Sequence, residues 1–410
     1  MDIRLPTASG AVTLTGAELR VVDGSGAAAR AGSGVGAELV TMALGGHPPL
    51  VDAGTARVVA AGPPRPPGAG VERDLGVDMT NWAVVVDEAF LVKVVRDWGG
   101  AERSVRQLDR LAAAGADFVP RTAGRIEWTV PGLGTTTVAV VSEYVAGASD
   151  GWTWAVDDLL EHLGGGPAPS WPAELGALTA RLHLALSAGH VAPSAATSPG
   201  GPIRHRVHAA LDRAAEVATG DTSVRLANRM PALRSLADTL PDTVAGRLIP
   251  VHGDLHVGQF LRRPDPASPR YLVVDLDGDP QTVPASLLVD ELEPAAVDVA
   301  HLLVSVDLVG SIAQRRLGRA DARATAWAFD ARAQLLAAYR TGLHDAGADD
   351  LLDDRLLPAL EVEQFARELS YAARFLPRWN YAPDAGITAR WAPTADREDP
   401  PWTPPASPTT

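Results

Sequence analysis

Residues 251–280 read VHGDLHVGQFLRRPDPASPRYLVVDLDGDP, and the rest of the chain is arranged around them. The pattern is strand, loop, short strand, turn, strand. Its first half carries His252, Asp254, His256 and Gln259. Asp275, Asp277 and Asp279 follow the apolar run 271–274. Moving a phosphoryl group takes a carboxylate to accept the proton of an attacking hydroxyl, and a metal site to hold the phosphates. A loop carboxylate at 254 and hard oxygen donors at a strand end 21 residues later (275 − 254) offer both. The bland alternative is a buried turn histidine with solvated loop acids. His-Gly-Asp alone would not exclude it, but two spaced elements together argue against it.

Composition narrows the class. A chain of 410 residues suggests two to three domains, and 46% hydrophobic with 21% charged residues is ordinary globular composition. The net charge of −14 argues against a nucleic-acid partner and favours a cationic over an anionic substrate. With no cysteine there is no disulfide, thiol nucleophile or thiolate zinc site. The first ten residues lack the apolar run of a signal peptide, and no stretch reads as a membrane span. A cytoplasmic enzyme, monomeric or weakly dimeric, is the expectation.

Lys93 is the sole lysine beside 35 arginines. It sits in the second of two β-rich runs (81–86 and 89–95) that flank a turn at Asp87-Glu88. A strand-edge lysine snorkelling to water is the bland reading. Its isolation favours a task that needs a compact ammonium, such as gripping phosphates.

Before it, residues 1–75 show short alternating segments (11–19, 38–43, 50–60) and a Gly/Pro run at 62–68. They read as a β-rich cap ending in a stiff linker. After it, 101–114 reads as a helix, 135–144 as a buried strand, and 154–163, 172–187, 204–218, 223–240, 322–341 and 351–375 as helices, with 192–202 as loop. In the last helix Gln364, Glu368, Tyr371 and Phe375 fall at steps of four, three and four, so they share one face. That polar stripe ends in aromatics and continues into Pro377-Arg378-Trp379-Asn380-Tyr381, which suits a sugar pocket better than a solvated face. Glu368 would suit a protonated amine. The Pro-rich tail 391–410 has no packing pattern and reads as disordered.

His-Gly-Asp-Leu-His followed by a strand-borne Asp resembles the catalytic and metal-binding segments of aminoglycoside phosphotransferase-like kinases. The order Lys93, lobe linker, HGDLHVGQ, VVDLDGDP, DVAHLL over about 75–385 supports the resemblance. It implies an α+β, bilobal, protein-kinase-like fold: cap 1–75, ATP-binding N-lobe 76–150, helical C-lobe 151–390 and tail 391–410. It also implies ATP and Mg²⁺. Asp254 would be the base, while His252 and Gly253 fix its loop. Lys93 would hold the phosphates and pair with Glu102. Backbone groups at Glu143–Val145 would bind adenine, with Met79-Thr80-Asn81-Trp82 in the place of a Gly-rich phosphate loop. Gln259, where the superfamily usually has Asn, would join Asp275 and Asp277 as metal ligands. Asp298, with His301 beside it, would pin the catalytic loop near the substrate. DGWTWA (150–155) and the cap look like maltokinases, in which Glu stands at the place of Asp277. The segment 364–381 looks instead like the acceptor motif of actinobacterial glucosamine kinases, which phosphorylate glucosamine at O6. On that likeness Gln364, Glu368, Tyr371 and Trp379 would contact the sugar. Maltokinase, aminoglycoside phosphotransferase and a non-catalytic nucleotide-binding pseudokinase are the competing readings.

Overall fold

A computed structural model describes residues 2–45, 49–62, 68–75, 81–188, 198–263, 270–278, 292–394 and 398–403. The chain divides into two compact units. The first comprises residues 1–148 and 263–290; the second comprises 149–262 and 291–410.

The first unit is sheet-based. Strands β1 (Ile3–Pro6), β2 (Gly10–Thr15) and β3 (Glu18–Asp23) form an antiparallel sheet. Helix α1 (Val35–Gly45) follows. Then β4 (Thr55–Ala60), β5 (Glu72–Asp74), β6 (Trp82–Val86), β7 (Phe90–Val94), helix α2 (Glu102–Ala113), β8 (Thr122–Val130) and β9 (Gly134–Glu143) complete it. The large sheet has the order β4-β8-β9-β7-β6-β5. The alternation read at 38–43 belongs to α1. Val35, Leu39 and Ala43, with Val40 and Leu44, recur at helical spacing and are buried. Glu72 caps this helix, accepting from the N–H groups of Gly32, Gly34 and Ala37 at 2.8–3.0 Å.

The expected boundary at 75 is absent. β4 and β5 are the two edges of the same six-stranded sheet, and one core runs from Leu5 and Val12 through Leu39 and Val84 to Trp128 and Val141. Strand β8 carries no clean period-2 signal in the sequence. Its interior positions Ile126, Glu127 and Trp128 are all buried, and its ladder with β9 shifts register twice. The hairpin between β6 and β7 turns at Asp87 (φ 55°) and Glu88 (φ 51°), with Ala89 N–H bonded to Val86 O at 3.1 Å. Two positive φ values give the reverse twist a tight hairpin needs.

The second unit is helical: α3 (Gly151–Leu163), α4 (Trp171–Ser187), α5 (Gly201–Val217), α6 (Gly220–Asp238), α7 (Ala296–Leu317), α8 (Ala322–Asp345), α9 (Leu357–Phe375) and α10 (Tyr381–Arg390). Short strand pairs β10 (Ser198–Pro199) with β11 (Thr243–Val244), and β12 (Leu248–Pro250) with β15 (Leu292–Pro294), close its loops. Between these pairs, β13 (Phe260–Arg263) leads out of the unit and β14 (Arg270–Val273) lies in the first unit. A single span 151–390 therefore does not hold, because 263–290 rejoin the sheet-based unit.

Helix α7 is long and apolar enough to cross a membrane by length and composition, which the sequence reading had missed; its apolar window is wholly buried, so it is a core helix. The tail is not wholly unstructured either. Trp391 O accepts from Arg229 Nε (2.7 Å), Thr394 N–H donates to Asn228 O (2.9 Å), and Asp399 bonds Asn228 and pairs with buried Arg229. The residues between 62 and 68, residues 79–80, most of the loop 192–202, Asp279 and the last seven residues lie outside the described part.

Candidate active site

The first unit gathers a cation and two carboxylates. Lys93 faces out of β7 between Val92 and Val94, opposite Ala83 and Val140 of the neighbouring strands. Its ammonium, 18% exposed, lies 3.2 Å from Asp275 Oδ1 and also bonds Asp277 Oδ2. Burial works against its charge, but the two carboxylates outweigh burial and hold its pKa above the usual lysine value. Asp275 has φ 60°, unusual for a non-glycine residue, and residues held in such conformations cluster at functional sites. Asn81 joins the group by donating to Asp277 at 3.2 Å.

Glu102 does not reach Lys93. Its carboxylate accepts from Thr136 Oγ1 (3.0 Å) and Thr137 N–H (3.3 Å), tying α2 to the start of β9. Those threonines lie three to four residues from Val140, about 10–13 Å along the strand at ~3.3 Å per residue. The neighbour Arg103 instead lies over the Asp277-Gly278 turn; a Cβ on Gly278 (φ 85°) would fall 2.7 Å from its Nε.

At the end of β9, the Glu143 and Tyr144 N–H groups donate to Arg121 O and Ala89 O, both at 2.8 Å. The Val145 N–H has no partner among the described residues. The Glu143 side chain is not a free ligand group. Burial would raise its pKa, but Arg121 and Arg263 (3.0 Å) lower it.

The second unit holds the catalytic-loop sequence. Asp298, fully buried in the first turn of α7, accepts from His252 N–H (2.7 Å), Gly253 N–H (2.8 Å) and His183 Nε2 (3.0 Å). Burial alone would raise its pKa. The hydrogen bond from His183, helped by His252 and the Gly253 amide, wins and holds it at about 2. Gly253 has φ 85°, and that turn brings both amides onto one carboxylate. Asp254 stays part-exposed, its N–H donating to His252 Nδ1 at 3.3 Å, with His256 Nε2 3.8 Å from its carboxylate. His256 stacks on Trp152 with centroids 5.4 Å apart. The side-chain amide nitrogen of buried Gln259 meets His256 at 3.3 Å. Val257 N–H donates to Ser305 Oγ at 3.0 Å, a second tie between loop and α7.

On α9 Gln364 and Glu368 form a pair, with the amide donating to the carboxylate at 2.9 Å. Gln364 is 4% exposed and its Oε1 has no partner among the described residues. Burial raises the Glu368 pKa, opposed by Arg367 and Gln364. His301 is buried, and burial lowers its pKa to about 4 against the pull of Asp298; its Nδ1 is unpartnered among the described residues. Tyr371 packs against Phe375 (5.0 Å) and Trp379 against Tyr381 (6.4 Å). The 377–381 segment is held by Arg315, which donates to Arg378 O (2.8 Å) and covers the Tyr381 ring.

Sequence reasoning missed Arg367, His183 and Tyr339. Burial pulls Arg367 down to about 10 while the Asp254 and Glu368 carboxylates resist, so it stands within electrostatic reach of both. Its place between Gln364 and Glu368 was the available signal. His183 and Tyr339 carry none, because each falls among the buried positions of a long helix, where its spacing reads as core.

Comparison with known proteins fits this inventory. A family model described as phosphotransferase enzyme family (APH) matches residues 72–278. A glucosamine kinase of Streptacidiphilus jiangxiensis is 39% identical over 90% of this chain and 84% of its own length. One from Mycolicibacterium smegmatis is 33% identical over 90% of this chain and 92% of its own. A solved glucosamine kinase in complex with glucosamine, ADP and inorganic phosphate superposes with a TM-score of 0.77 at 32% identity, covering 95% of this chain and 93% of that one. On these matches the chain belongs to the phosphotransferase enzyme family and, within it, to the glucosamine kinases.

Proposed function

We propose that this protein transfers the γ-phosphoryl group of ATP to the 6-hydroxyl of D-glucosamine. The observation that carries the reading is the Gln364–Glu368 pair, a buried amide with an unspent oxygen beside a part-buried carboxylate, in a chain akin to a kinase solved with glucosamine and ADP. Glu368 takes the ammonium at C2, Gln364 a ring hydroxyl, and Tyr371 and Trp379 the apolar edge of the sugar, with His301 and Asp298 shaping the floor. Asp254 accepts the hydroxyl proton as the oxygen attacks phosphorus; the P–O bond to ADP breaks in line, with no covalent enzyme intermediate. Lys93 grips the phosphates, and the Val145 N–H with the Glu143 backbone takes the adenine edge.

Asp275 and Asp277 both reach one ammonium, which gathers hard oxygen donors at the end of that strand. Hard carboxylate oxygens suit Mg²⁺, and the family resemblance adds the Gln259 amide oxygen to the donors that would hold it. Mg²⁺ supplies neutralisation of the β- and γ-phosphate charge.

The test is ATP consumption against glucosamine, glucose, maltose and kanamycin, with and without Mg²⁺. A charge-assisted hydrogen bond of about 1.5–3 kcal/mol predicts kcat/KM for glucosamine roughly 10–100-fold above glucose. Equal rates on the two hexoses would remove the role given to Glu368. Nucleotide binding without turnover on any sugar would favour a binding module.

A further inference from the structure

The pin on the catalytic loop does not end at Asp298. His183 on α4 donates through Nε2 to Asp298 (3.0 Å), and its Nδ1 lies 2.8 Å from the hydroxyl of Tyr339 on α8. All three side chains are inaccessible to solvent. We propose that Tyr339 is a positioning residue for the kinase reaction: its hydroxyl donates to His183 Nδ1 and fixes the neutral Nε2–H tautomer that holds Asp298 on the catalytic-loop amides.

Proton counting carries the argument. The Asp298 carboxylate accepts from two backbone N–H groups and from His183, so Nε2 must bear a proton. Nδ1 is the only hydrogen-bond partner of the Tyr339 hydroxyl among the described residues. Were His183 cationic, Nδ1–H would donate to that oxygen, and the phenolic proton would be stranded in a dry interior, a costly arrangement. The neutral tautomer uses every proton. Burial and the nearby Asp298 charge also raise the tyrosine pKa, so the hydroxyl keeps the proton it donates.

The packing shows why these rings meet. Gly176, Ala180 and His183 fall at steps of four and three on one face of α4; Leu335, Tyr339 and Gly342 do so on α8. A Cβ on Gly176 would sit 2.1 Å from Leu335 O, and one on Gly342 would sit 2.7 Å from the Ala180 methyl. The helices approach closely at these glycines, which brings the buried His183 and Tyr339 rings together, 5.5 Å between centroids. Among the described residues neither ring bonds or stacks on Gln364, Glu368, Tyr371 or Trp379, and His183 reaches the site only through Asp298, so disturbing the pair loosens the aim of Asp254 while the sugar-binding side chains stay in place.

The experiment uses full-length protein with ¹⁵N-labelled histidine, His183 being assigned by its disappearance in His183→Gln. In wild type, long-range ¹H–¹⁵N spectra should show His183 neutral, with the proton on Nε2. In Tyr339→Phe that signature should be lost. Its kcat should fall on the order of 10- to 100-fold, as misplacing a reacting group does, with both KM values within about twofold. His183→Gln keeps a donor near the Nε2 position and has no Nδ1 to serve. Adding Tyr339→Phe to it should therefore cost no further kcat. A cationic His183 in wild type, an unchanged kcat in Tyr339→Phe, or equal Tyr339→Phe losses in both backgrounds would each overturn the proposal. If Tyr339→Phe does not fold, the wild-type signature decides.

Discussion

On the Asp298 carboxylate, full burial meets three hydrogen-bond donors, and the donors win. Its folded pKa of about 2 lies below the unfolded carboxylate value, near 3.9. A depressed acid contributes stability that is fully present above the unfolded pKa and is lost as pH falls through the folded one. Stability should therefore drop between about pH 4 and 2, and in Asp298→Asn this part of the acid limb should flatten while stability at pH 7 also falls. Urea midpoints across that range measure it. Asp254→Asn should keep the fold but lose about 10²–10⁴-fold in kcat, the usual worth of a positioned base. Steady-state assay beside a thermal melt separates the two effects, and near-normal turnover would refute the base. Lys93→Arg should raise the KM for ATP despite the retained charge. A planar guanidinium cannot sit between Asp275 and Asp277 as a point ammonium does.

Among elements, the first turn of α3 is built against the catalytic loop. A Cβ on Gly151 would lie 1.7 Å from Val257 O, so Gly151→Ala must push that loop away. A shift of about 1 Å costs up to 10²-fold in rate, and kcat for this variant should fall toward that figure while ATP binding, measured by calorimetry, holds. Helix α10 is anchored by Asp384, which accepts from Arg225 Nε (2.9 Å) and Thr222 Oγ1 (3.0 Å) where all three are buried. Asp384→Ala strands a buried guanidinium. It should lower stability by about 3–5 kcal/mol in chemical denaturation, with the glucosamine KM rising because Pro377–Trp379 precedes this helix.

The whole molecule carries a net charge of −14, and the proposed acceptor is a cation. Salt screens that attraction, so the KM for glucosamine should rise between 0.05 and 0.5 M NaCl. Turnover of glucose, which is neutral, should respond less; parallel salt curves would remove electrostatics from acceptor capture. At this scale the reading from sequence was uneven. The hairpin bearing Lys93, the long helices and the order of catalytic segments were legible, because each has a local period or a turn signal. The cap boundary was not. β4 and β5 look like separate short strands until their ladders with β8 and β6 join them to one sheet. The tail reads as disordered from its prolines, yet part of it bonds to Arg225, Asn228 and Arg229, a match no composition reveals.

The sequence by itself determined the chemical inventory: one lysine on a strand, one loop aspartate, a strand-end pair of acids and an amide–carboxylate face on a helix. Such groups are tied to short segments whose spacing survives in one dimension. Only the tertiary structure decided who bonds whom. It gave Lys93 to Asp275 and Asp277, sent Glu102 to Thr136 and Thr137, and brought Tyr339 to His183 across 156 residues. Hydrogen-bond partners are chosen by how strands register and where helices cross, and those choices are made by packing between segments far apart in the chain.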